Sequence, residues 1–357
     1  MSAQPHGTAA PGTLFLAEIH EQPAALARLL EHEDAFEAAG RLIAGRRPGV
    51  IRLVGHGSSD AAASYGVYAF GLLASRTALR DSISLSVYYD AHLDLADSVV
   101  IALSQSGMTP DVVEYARRAR ADGALTLAVT NAPASDLAAA AEVVLPLSAG
   151  VERAVAASKT YLNQVAALAL LAACTDGRGS ELADGLRQLV PLLDGAIGTL
   201  EHQTGRLATA FAHVGRMFVI GRGVEFATAR EIALKLTETC RVAAEPLTAT
   251  DLVHGPIAAV DPLFPVWTIA THDECLPAVQ EASARATNAG AVLVASGSAA
   301  DEIAGAEYRL PVPLAPQPLL SPLLSVVTGQ LFAAALARAK GLDADRPEQL
   351  SKVTLAR

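Results

Sequence analysis

Short apolar runs alternate with longer amphipathic runs along most of this chain. In the first half the apolar runs are VIRLV (50–54), SLSVYY (84–89), SVVIALS (98–104), LTLAVT (125–130) and EVVLPL (142–147). Apolar residues at helical spacing predict helices between them, at about 59–76, 110–122 and 155–175. Strands that alternate with helices are typical of a parallel sheet with crossover connections, so we predict an α/β fold.

The same alternation restarts in the second half of the chain. Strands are predicted at 217–221, 265–270, 291–296 and 308–312, and helices at 224–240, 273–289 and 319–340. VIRLVGHGSSDAAASYGVYAFGLL and MFVIGRGVEFATAREIALKLTE each predict a strand, a G-x-G turn and a long helix. This match favours an internal duplication of one α/β unit over two unrelated α/β domains.

The pattern divides the chain into six segments. They are a leader expected to be disordered (1–14), N-terminal helices (15–48), a first α/β unit (49–176), a helical bridge (177–212), a second α/β unit (213–340) and a C-terminal tail (341–357). Pro23 suits the first turn of a helix in the second segment.

Composition narrows the classes of function. The net charge is −10, the pI is near 5.4, and no run of Lys and Arg forms a basic stripe, which disfavours nucleic-acid binding. We also expect no membrane span and no signal peptide. The three cysteines, Cys174, Cys240 and Cys275, lack paired spacing, which predicts reduced thiols in a cytoplasmic protein and no metal site.

The two G-x-G turns differ from a dinucleotide fingerprint. That fingerprint needs a third glycine where the helix packs on the strand. Asp60 and Phe226 occupy those positions, and no phosphate-binding G-x-x-x-x-G-K-[ST] loop occurs. We therefore predict no nicotinamide or flavin cofactor, and no cofactor of another kind.

Hydroxyl side chains follow two of the predicted strands. GHGSSD provides Ser58 and Ser59, and SQSGMTPD provides Ser104, Ser106 and Thr109, with Pro110 near a first helical position. Each cluster alone could simply cap a helix. Because both lie at the carboxyl ends of strands in one sheet, where helix N-termini favour anions, we interpret them as a phosphate site.

A group of titratable residues lies in the second half. Glu231, Lys235 and Glu238 are spaced to share one helix face, which on its own is typical of an exposed ion pair. His254 precedes a Gly-Pro turn, where it could be either a buried core residue or a proton donor.

These residues resemble the sugar isomerase (SIS) domain proteins, in particular the isomerase half of glutamine–fructose-6-phosphate aminotransferase and the related glucosamine-6-phosphate deaminases. The likeness runs from about Phe15 almost to the C-terminus. The matching segments are EIHEQP, SQSGMTPD, ERAVAASKTYLNQ, GRG…EIALKLTE…LVHGP and LSKVT. The resemblance implies two tandem SIS domains, each a parallel sheet flanked by helices in a flavodoxin-like three-layer arrangement.

The resemblance also implies roles for individual residues. The implied phosphate and sugar contacts are Gly57, Ser58, Ser59, Ser104, Gln105, Ser106 and Thr109, with Val155, Ala156 and Ala157 along the other wall. Glu238 is expected to move a proton between C1 and C2 with Lys235 as its electrostatic partner. His254 is expected to open the sugar ring from the neighbouring subunit, so a homodimer is expected.

Lys352 takes the place of the family's tail lysine, in a chain whose only other lysines are Lys159, Lys235 and Lys340. A tail lysine can close the site, and its amine can form a Schiff base with an open-chain ketose, which arginine cannot do. Met108 and Ala157 differ from the residues usual at these positions in the family, so the identity of the sugar stays undetermined.

Three functions remain after this comparison. We expect an isomerising deaminase that converts glucosamine 6-phosphate or a related phosphosugar to a ketose phosphate and ammonia, because the leader is too short for a glutaminase. The close alternative is a phosphosugar isomerase or a fructosamine-phosphate deglycase. A non-catalytic phosphosugar sensor is the third, although it would not need Glu238, His254 and Lys352 together.

Overall fold

The computed structural model describes residues 11–352. Three helices precede the first strand: α1 (Thr13–His20), α2 (Gln22–Leu30) and α3 (Glu33–Arg46). Pro23 lies in the first turn of α2, as predicted, because its missing N–H is not needed there. Most of the predicted leader, and the tail beyond Lys352, lie outside the described residues.

The first α/β unit contains one parallel sheet. Its strands are β1 (Val50–Val54), β2 (Ala78–Arg80), β3 (Ser98–Ser104), β4 (Leu125–Thr130) and β5 (Val143–Pro146). Its helices are α4 (Ser58–Ala74), α5 (Ile83–Val87), α6 (Pro110–Ala121), α7 (Asp136–Ala140) and α8 (Lys159–Thr175). The strand order is β2-β1-β3-β4-β5.

A long helix, α9 (Gly179–Ala210), leads to the second unit. The strands there are β6 (Arg216–Gly221), β7 (Ala243–Thr248), β8 (Pro265–Ile269), β9 (Val292–Gly297) and β10 (Tyr308–Pro311). The helices are α10 (Glu225–Cys240), α11 (Ala249–Val253), α12 (Leu276–Asn288) and α13 (Pro322–Ala339), with 3₁₀ turns at Pro256–Ala259, Ala300–Glu302 and Pro318–Leu320.

The second sheet repeats the topology of the first. Its order is β7-β6-β8-β9-β10, and every pair is parallel. Each unit therefore places its first strand between its second and third strands, which is the flavodoxin-like order. The predicted α/β class and the predicted duplication are both confirmed.

One strand prediction is wrong, and one strand of the second unit was not predicted. The prediction of a strand at 84–89 is wrong: Ile83–Val87 forms helix α5, with Ile83 and Ser86 buried three residues apart on one face, and β2 supplies the edge strand. Strand β7 was not predicted. Its sequence, AAEPLT, contains a proline and lies at the sheet edge, where a missing donor is tolerated.

The two units share one hydrophobic core. All seven residues of β3 are buried, and α4, α8, α10 and α13 contribute to a cluster that joins both sheets. Within the described residues one stretch, Pro318–Ala339, is long and apolar enough to span a membrane, but 94% of its apolar 18-residue window is buried inside the fold. It packs against α9 as a core helix of this α/β fold.

Candidate active site at the carboxyl ends of the first sheet

A cavity of about 410 Å³ lies at the carboxyl ends of β1 and β3, where the strand order changes direction. This is the position at which open parallel sheets form a ligand crevice. Most of the residues expected at the site line it: Gly57, Ser58, Ser59, Ser104, Gln105, Ser106, Thr109, Val155, Ala157, Lys235, Glu238 and Lys352.

The turn after β1 delivers the first hydroxyl pair. Gly57 has φ 56° and ψ −125°, a conformation that glycine adopts readily and other residues avoid. Helix α4 then begins at Ser58, so its N-terminal amides face the cavity end of the sheet. The Ser59 hydroxyl accepts a hydrogen bond from Gln164 Nε2 at 2.9 Å, which fixes its orientation.

The loop after β3 delivers the second hydroxyl group. Ser104 Oγ lies 3.1 Å from Thr109 Oγ1 and accepts a hydrogen bond from the Gly107 amide at 3.1 Å. Gly107 has φ 63°, and a Cβ there would lie 1.9 Å from Ser135 Oγ, so the tight loop requires glycine. Helix α6 begins at Pro110, as predicted, and presents a second helix N-terminus.

Helix α10 of the second unit supplies charged groups. Glu231 is fully buried and Lys235 is 1% exposed, so the interpretation as a solvent-exposed ion pair is wrong. Lys235 Nζ lies 2.5 Å from Glu238 Oε2, 3.5 Å from Glu231 Oε1 and 3.2 Å from Ser58 Oγ. Ser58 in turn donates to Glu231 Oε1 at 3.1 Å, so the two repeats meet at this hydroxyl.

The electrostatics of this group follow from burial and pairing. Burial raises the pKa of Glu231 to about 7, because desolvation outweighs the attraction of the Lys235 ammonium. Burial alone would lower the pKa of Lys235, but the carboxylates of Glu231 and Glu238 raise it above its usual range. Lys235 is therefore a permanent cation next to the cavity.

An ion pair outside the cavity fixes α10 against α4. Arg230 on α10 bonds Asp60 Oδ2 at 2.5 Å, and Asp60 Oδ1 accepts from Arg80 Nε at 2.8 Å. Asp60 thus occupies the position of the missing third glycine and links the two repeats. Its neighbours Ser58 and Ser59 are held in register with Lys235 as a result.

The described part of the C-terminal tail lines the cavity and forms an ion pair there. Lys352 Nζ lies 2.6 Å from Oε2 of Glu152, whose side chain is completely buried. Glu152 also accepts from the amides of Ser158 and Thr160, at 3.0 and 3.1 Å, and from the Thr160 hydroxyl at 2.7 Å. Burial opposes its charge, but the Lys352 ammonium and these donors hold the pKa of Glu152 below its usual range.

Sequence reasoning gave Glu152 no role, although it lies in the matched segment ERAVAASKTYLNQ. A glutamate among small residues before a helix resembles an ordinary surface residue. Only the approach of Thr160 and Lys352 identifies it as the buried anion of the site. His56, Tyr88 and Asp111 also line the cavity without having been predicted.

The N-terminal helix supports the loop that carries Glu152. The carboxylate of Glu18 on α1 accepts from the amides of Arg153 and Ala154. Glu21 pairs with Lys159 Nζ at 2.5 Å, and Lys159 also donates to the Val151 carbonyl at 2.8 Å. The segment EIHEQP (18–23) therefore holds one wall of the cavity in place through these hydrogen bonds and this ion pair.

The start of the tail is fixed to the same helix. Asp345 Oδ1 accepts from the Phe15 amide at 2.7 Å, and Oδ2 accepts from the Leu14 amide at 3.1 Å, so this carboxylate caps α1 from the other end of the chain. The Asp345 carbonyl accepts from the Val155 amide at 2.9 Å. One residue thus joins the tail, α1 and the cavity wall.

Two expected site residues do not line the cavity. Ala156 is buried between Val155 and Ala157, which do line it. His254 lies exposed in the turn after α11, so it is not a buried core histidine, and it does not reach the cavity of its own chain.

The described residues contain no cluster of three His, Cys, Asp or Glu side chains suited to a metal ion. The three cysteines are free: Cys174 and Cys240 are buried, and Cys275 is partly buried.

Comparison with known proteins gives consistent matches. The family model for the SIS domain matches residues 46–174 and 210–339. Glutamine–fructose-6-phosphate aminotransferase (isomerizing) of Aeropyrum pernix is 36% identical over 95% of this chain, which spans 56% of that protein. The chain therefore covers little more than half the length of the curated relatives it matches.

Two solved structures resemble it over nearly their whole length. A candidate phosphosugar isomerase of Silicibacter pomeroyi DSS-3 has TM-score 0.85 and 31% identity, covering 93% of this chain and 100% of that one. The C-terminal domain of glucosamine-fructose-6-phosphate aminotransferase from Francisella tularensis has TM-score 0.85 and 25% identity, covering 97% and 100%.

Proposed function

Because this chain belongs to the SIS domain family, we propose that it is an amino-sugar phosphate isomerase and deaminase. Its substrate is glucosamine 6-phosphate or a closely related phosphosugar. The reaction consumes one water and yields a ketose phosphate and ammonia. The working unit is a homodimer in which His254 of one subunit completes the neighbour's site.

One observation carries this proposal: an acid–base group and an amine from two distant segments meet in a cavity rich in hydroxyls. Glu238 and Lys235 come from α10 and Lys352 from the tail, while the hydroxyls follow β1 and β3. A phosphosugar sensor needs only the hydroxyls. Burying these charges costs stability, and such groups are typical of functional sites, which favours an enzyme.

The proposed phosphate contacts are the amides and hydroxyls at the starts of α4 and α6. Neutral donors and helix N-termini stabilise a dianion without a permanent cation. With the phosphate there, C1 and C2 of the open-chain sugar extend toward α10. Val155 and Ala157 form an opposite wall without charge, so the sugar is held between the two.

Glu238 acts as the base of the proton transfer. After His254 of the neighbouring subunit opens the ring, Glu238 takes the proton from C2 and returns it to C1. The product is a C2 imine, and water adds to it to release ammonia. The Lys235 ammonium, 2.5 Å from Glu238, stabilises the negative charge of the carboxylate and of the enolic intermediate.

Glu231 is a positioning residue in this scheme. It reaches the cavity only through Ser58 and Lys235, and it orients both. Glu152 has the corresponding role for the tail, since it holds the Lys352 ammonium over the cavity. A Schiff base through Lys352 first requires loss of the ammonium proton, and Glu152 is the carboxylate next to it.

A panel of hexosamine 6-phosphates and N-substituted fructosamine 6-phosphates tests the proposal, with separate detection of ammonia, of released amine and of ketose phosphate. Ammonia release supports the deaminase, whereas aldose–ketose conversion without ammonia indicates the plain isomerase. Release of an amine only from N-substituted fructosamine phosphates indicates the deglycase. Binding without turnover of any member indicates the sensor.

A substitution at the base tests the mechanism. Glu238→Gln keeps the shape of the side chain and should bind the phosphosugar while turnover falls by about 10²–10⁴-fold, because general base catalysis is lost. Glu281→Gln, in an exposed ion pair on α12, is the matched control. Near-normal turnover by Glu238→Gln would refute the assignment.

A further inference from the structure

A histidine–aspartate pair lies at the phosphate end of the cavity. His56 is the middle residue of the first G-x-G turn, and its Nε2 lies 2.8 Å from Asp111 Oδ2. Both side chains line the cavity, with the imidazole 55% exposed and the carboxylate 8% exposed. The pair connects the turn after β1 to the start of α6, which are the two places that carry the hydroxyl groups.

Asp111 is fixed on both of its oxygens. Oδ1 accepts from the Val112 amide at 2.9 Å, and Oδ2 accepts from the Tyr88 hydroxyl at 3.4 Å as well as bonding the imidazole. A buried carboxylate held in this way orients the ring of His56. Because Nε2 is bound to Asp111, Nδ1 is the ring nitrogen that is left to contact a ligand.

The distribution of charged groups in the cavity indicates what this pair could bind. The other cations that line it, Lys235 and Lys352, each lie against a carboxylate, Glu238 or Glu152, and belong to the C1–C2 end of the proposed reaction. The hydroxyl end otherwise offers neutral donors. An imidazole next to Ser58 and two turns rich in hydroxyls is therefore placed to meet the most negative part of a phosphosugar.

We propose that His56, oriented by Asp111, is a phosphate-binding residue that makes the affinity of this site pH-dependent. This inference rests on the proposed function and deepens it. Only the doubly protonated ring donates to Asp111 through Nε2 and to a phosphate oxygen through Nδ1. In the neutral form with Nε2–H bound to Asp111, Nδ1 presents a lone pair to the anion and repels it.

The expected direction of the pH effect follows from this geometry. Histidine gains its positive charge as the pH falls between about 8 and 5, so binding should tighten as the pH falls from 8 to 6. Asp111 on α6 and Tyr88 after α5 lie next to the ring, and Lys235, Glu238 and Lys352 line the same cavity. Glu231, with a pKa of about 7, lies behind Ser58 and adds its own pH dependence. A phosphate ester also titrates near pH 6, so the probe must exclude that contribution.

Calorimetric titration with glucose 6-sulfate provides this probe, because the charge of a sulfate ester is constant over this range. Fructose 6-phosphate and inorganic phosphate serve as parallel ligands. The variants are His56→Gln, His56→Arg and Asp111→Asn. His213→Gln is the matched control, since His213 is exposed and lies outside the cavity.

We expect wild-type protein and His213→Gln to bind the sulfate ester more tightly at pH 6 than at pH 8. His56→Gln should bind it about ten-fold more weakly at pH 6, because a charge-assisted hydrogen bond is lost, and with a smaller pH dependence, because only the titration of Glu231 behind Ser58 remains. His56→Arg should show the same smaller pH dependence as His56→Gln but without the loss of affinity, because arginine keeps its charge at both pH values. Asp111→Asn should reduce the tightening at pH 6.

Other outcomes separate this inference from the proposed function. Equal binding by wild type and His56→Gln at pH 6 overturns the role of His56 even if turnover of phosphosugars is normal. Inorganic phosphate that binds in a His56-dependent way, with no turnover of any hexosamine phosphate, supports the phosphate site and rejects the deaminase. Absence of binding by any of the three ligands rejects both.

Discussion

Lys352 and Glu152 are separated by 200 positions in the sequence, yet the Nζ of the lysine lies 2.6 Å from Oε2 of the glutamate. The glutamate is completely buried and the lysine is 22% exposed, so the pair forms the boundary between the cavity and solvent. A short terminal segment would ordinarily fray. Here a buried charge holds the tail in place at Lys352.

Removing the Lys352 ammonium should lower the free energy of unfolding, because the carboxylate of Glu152 is buried. Lys352→Met leaves Glu152 without its counter-ion, and we expect the free energy of unfolding in urea to fall by roughly 2–4 kcal/mol. The double variant Lys352→Met/Glu152→Gln should recover part of this loss, because no uncompensated charge remains. Equal stability of Lys352→Met and wild type would contradict the buried ion pair.

Lys352→Arg separates charge from nucleophilicity. Arginine can still pair with Glu152, so the unfolding free energy should stay close to that of wild type. Turnover should nevertheless be lost if the amine attacks the sugar carbonyl, because a guanidinium does not form a Schiff base. Steady-state rates together with urea melts decide between the two roles, and full activity of Lys352→Arg would restrict the lysine to electrostatics.

Asp345 should control the position of the tail from a distance. Asp345→Ala removes the cap of α1 at Leu14 and Phe15, and we expect a loss of about 1–2 kcal/mol in unfolding free energy together with reduced kcat/KM. Asp345→Asn keeps an acceptor oxygen and should restore most of both. Asp176→Ala, in an exposed pair with Arg178, is the control and should change neither.

The raised pKa of Glu225 should make the free energy of unfolding depend on pH. Glu225 is buried at the start of α10 and bonded to Ser321 and Ser325, at 2.6 and 3.0 Å, and burial raises its pKa to about 7. Above about pH 4.5 the unfolded chain releases this proton while the folded chain keeps it, so wild-type stability falls as the pH rises towards 7. Above about pH 7 both the folded and the unfolded chain have released the proton, so the contribution of Glu225 to the free energy of unfolding no longer changes with pH.

Glu225→Gln should abolish this contribution, since glutamine has nothing to titrate. From pH 5 to pH 8 the unfolding free energy of wild type should therefore decrease relative to that of Glu225→Gln by about 2–3 kcal/mol. Urea denaturation at the two pH values measures the difference. A difference that is the same at both pH values would mean that Glu225 ionises normally in the folded protein.

The proposed exchange of His254 between subunits can be tested by complementation. His254→Asn and Glu238→Gln should each be inactive alone. Mixed by co-unfolding and refolding in equal amounts, half of the dimers are hybrids, and each hybrid has one intact site if His254 acts across the interface. About a quarter of wild-type activity should then return. No recovery, with hybrids verified by differently tagged chains, would locate His254 within its own subunit.

The sequence by itself determined the architecture of this protein. Runs such as SVVIALS are buried on both faces in a parallel sheet, so periodicity and length identify them without other information. The repeat of strand, G-x-G turn and helix fixed the duplication. The hydroxyl clusters could be assigned to one edge of the sheet because all parallel strands end there.

Tertiary structure alone decided the rest. Residues 84–89 were wrongly predicted as a strand because a short run with alternating polarity fits either period, and packing of Ile83 and Ser86 selects the helix. Glu152 and Asp111 look like surface residues in the sequence, since a local pattern does not show which distant cation or amide will reach them. Their burial and their partners depend on contacts between segments far apart in the sequence, such as Glu152 and Lys352, which are 200 positions apart.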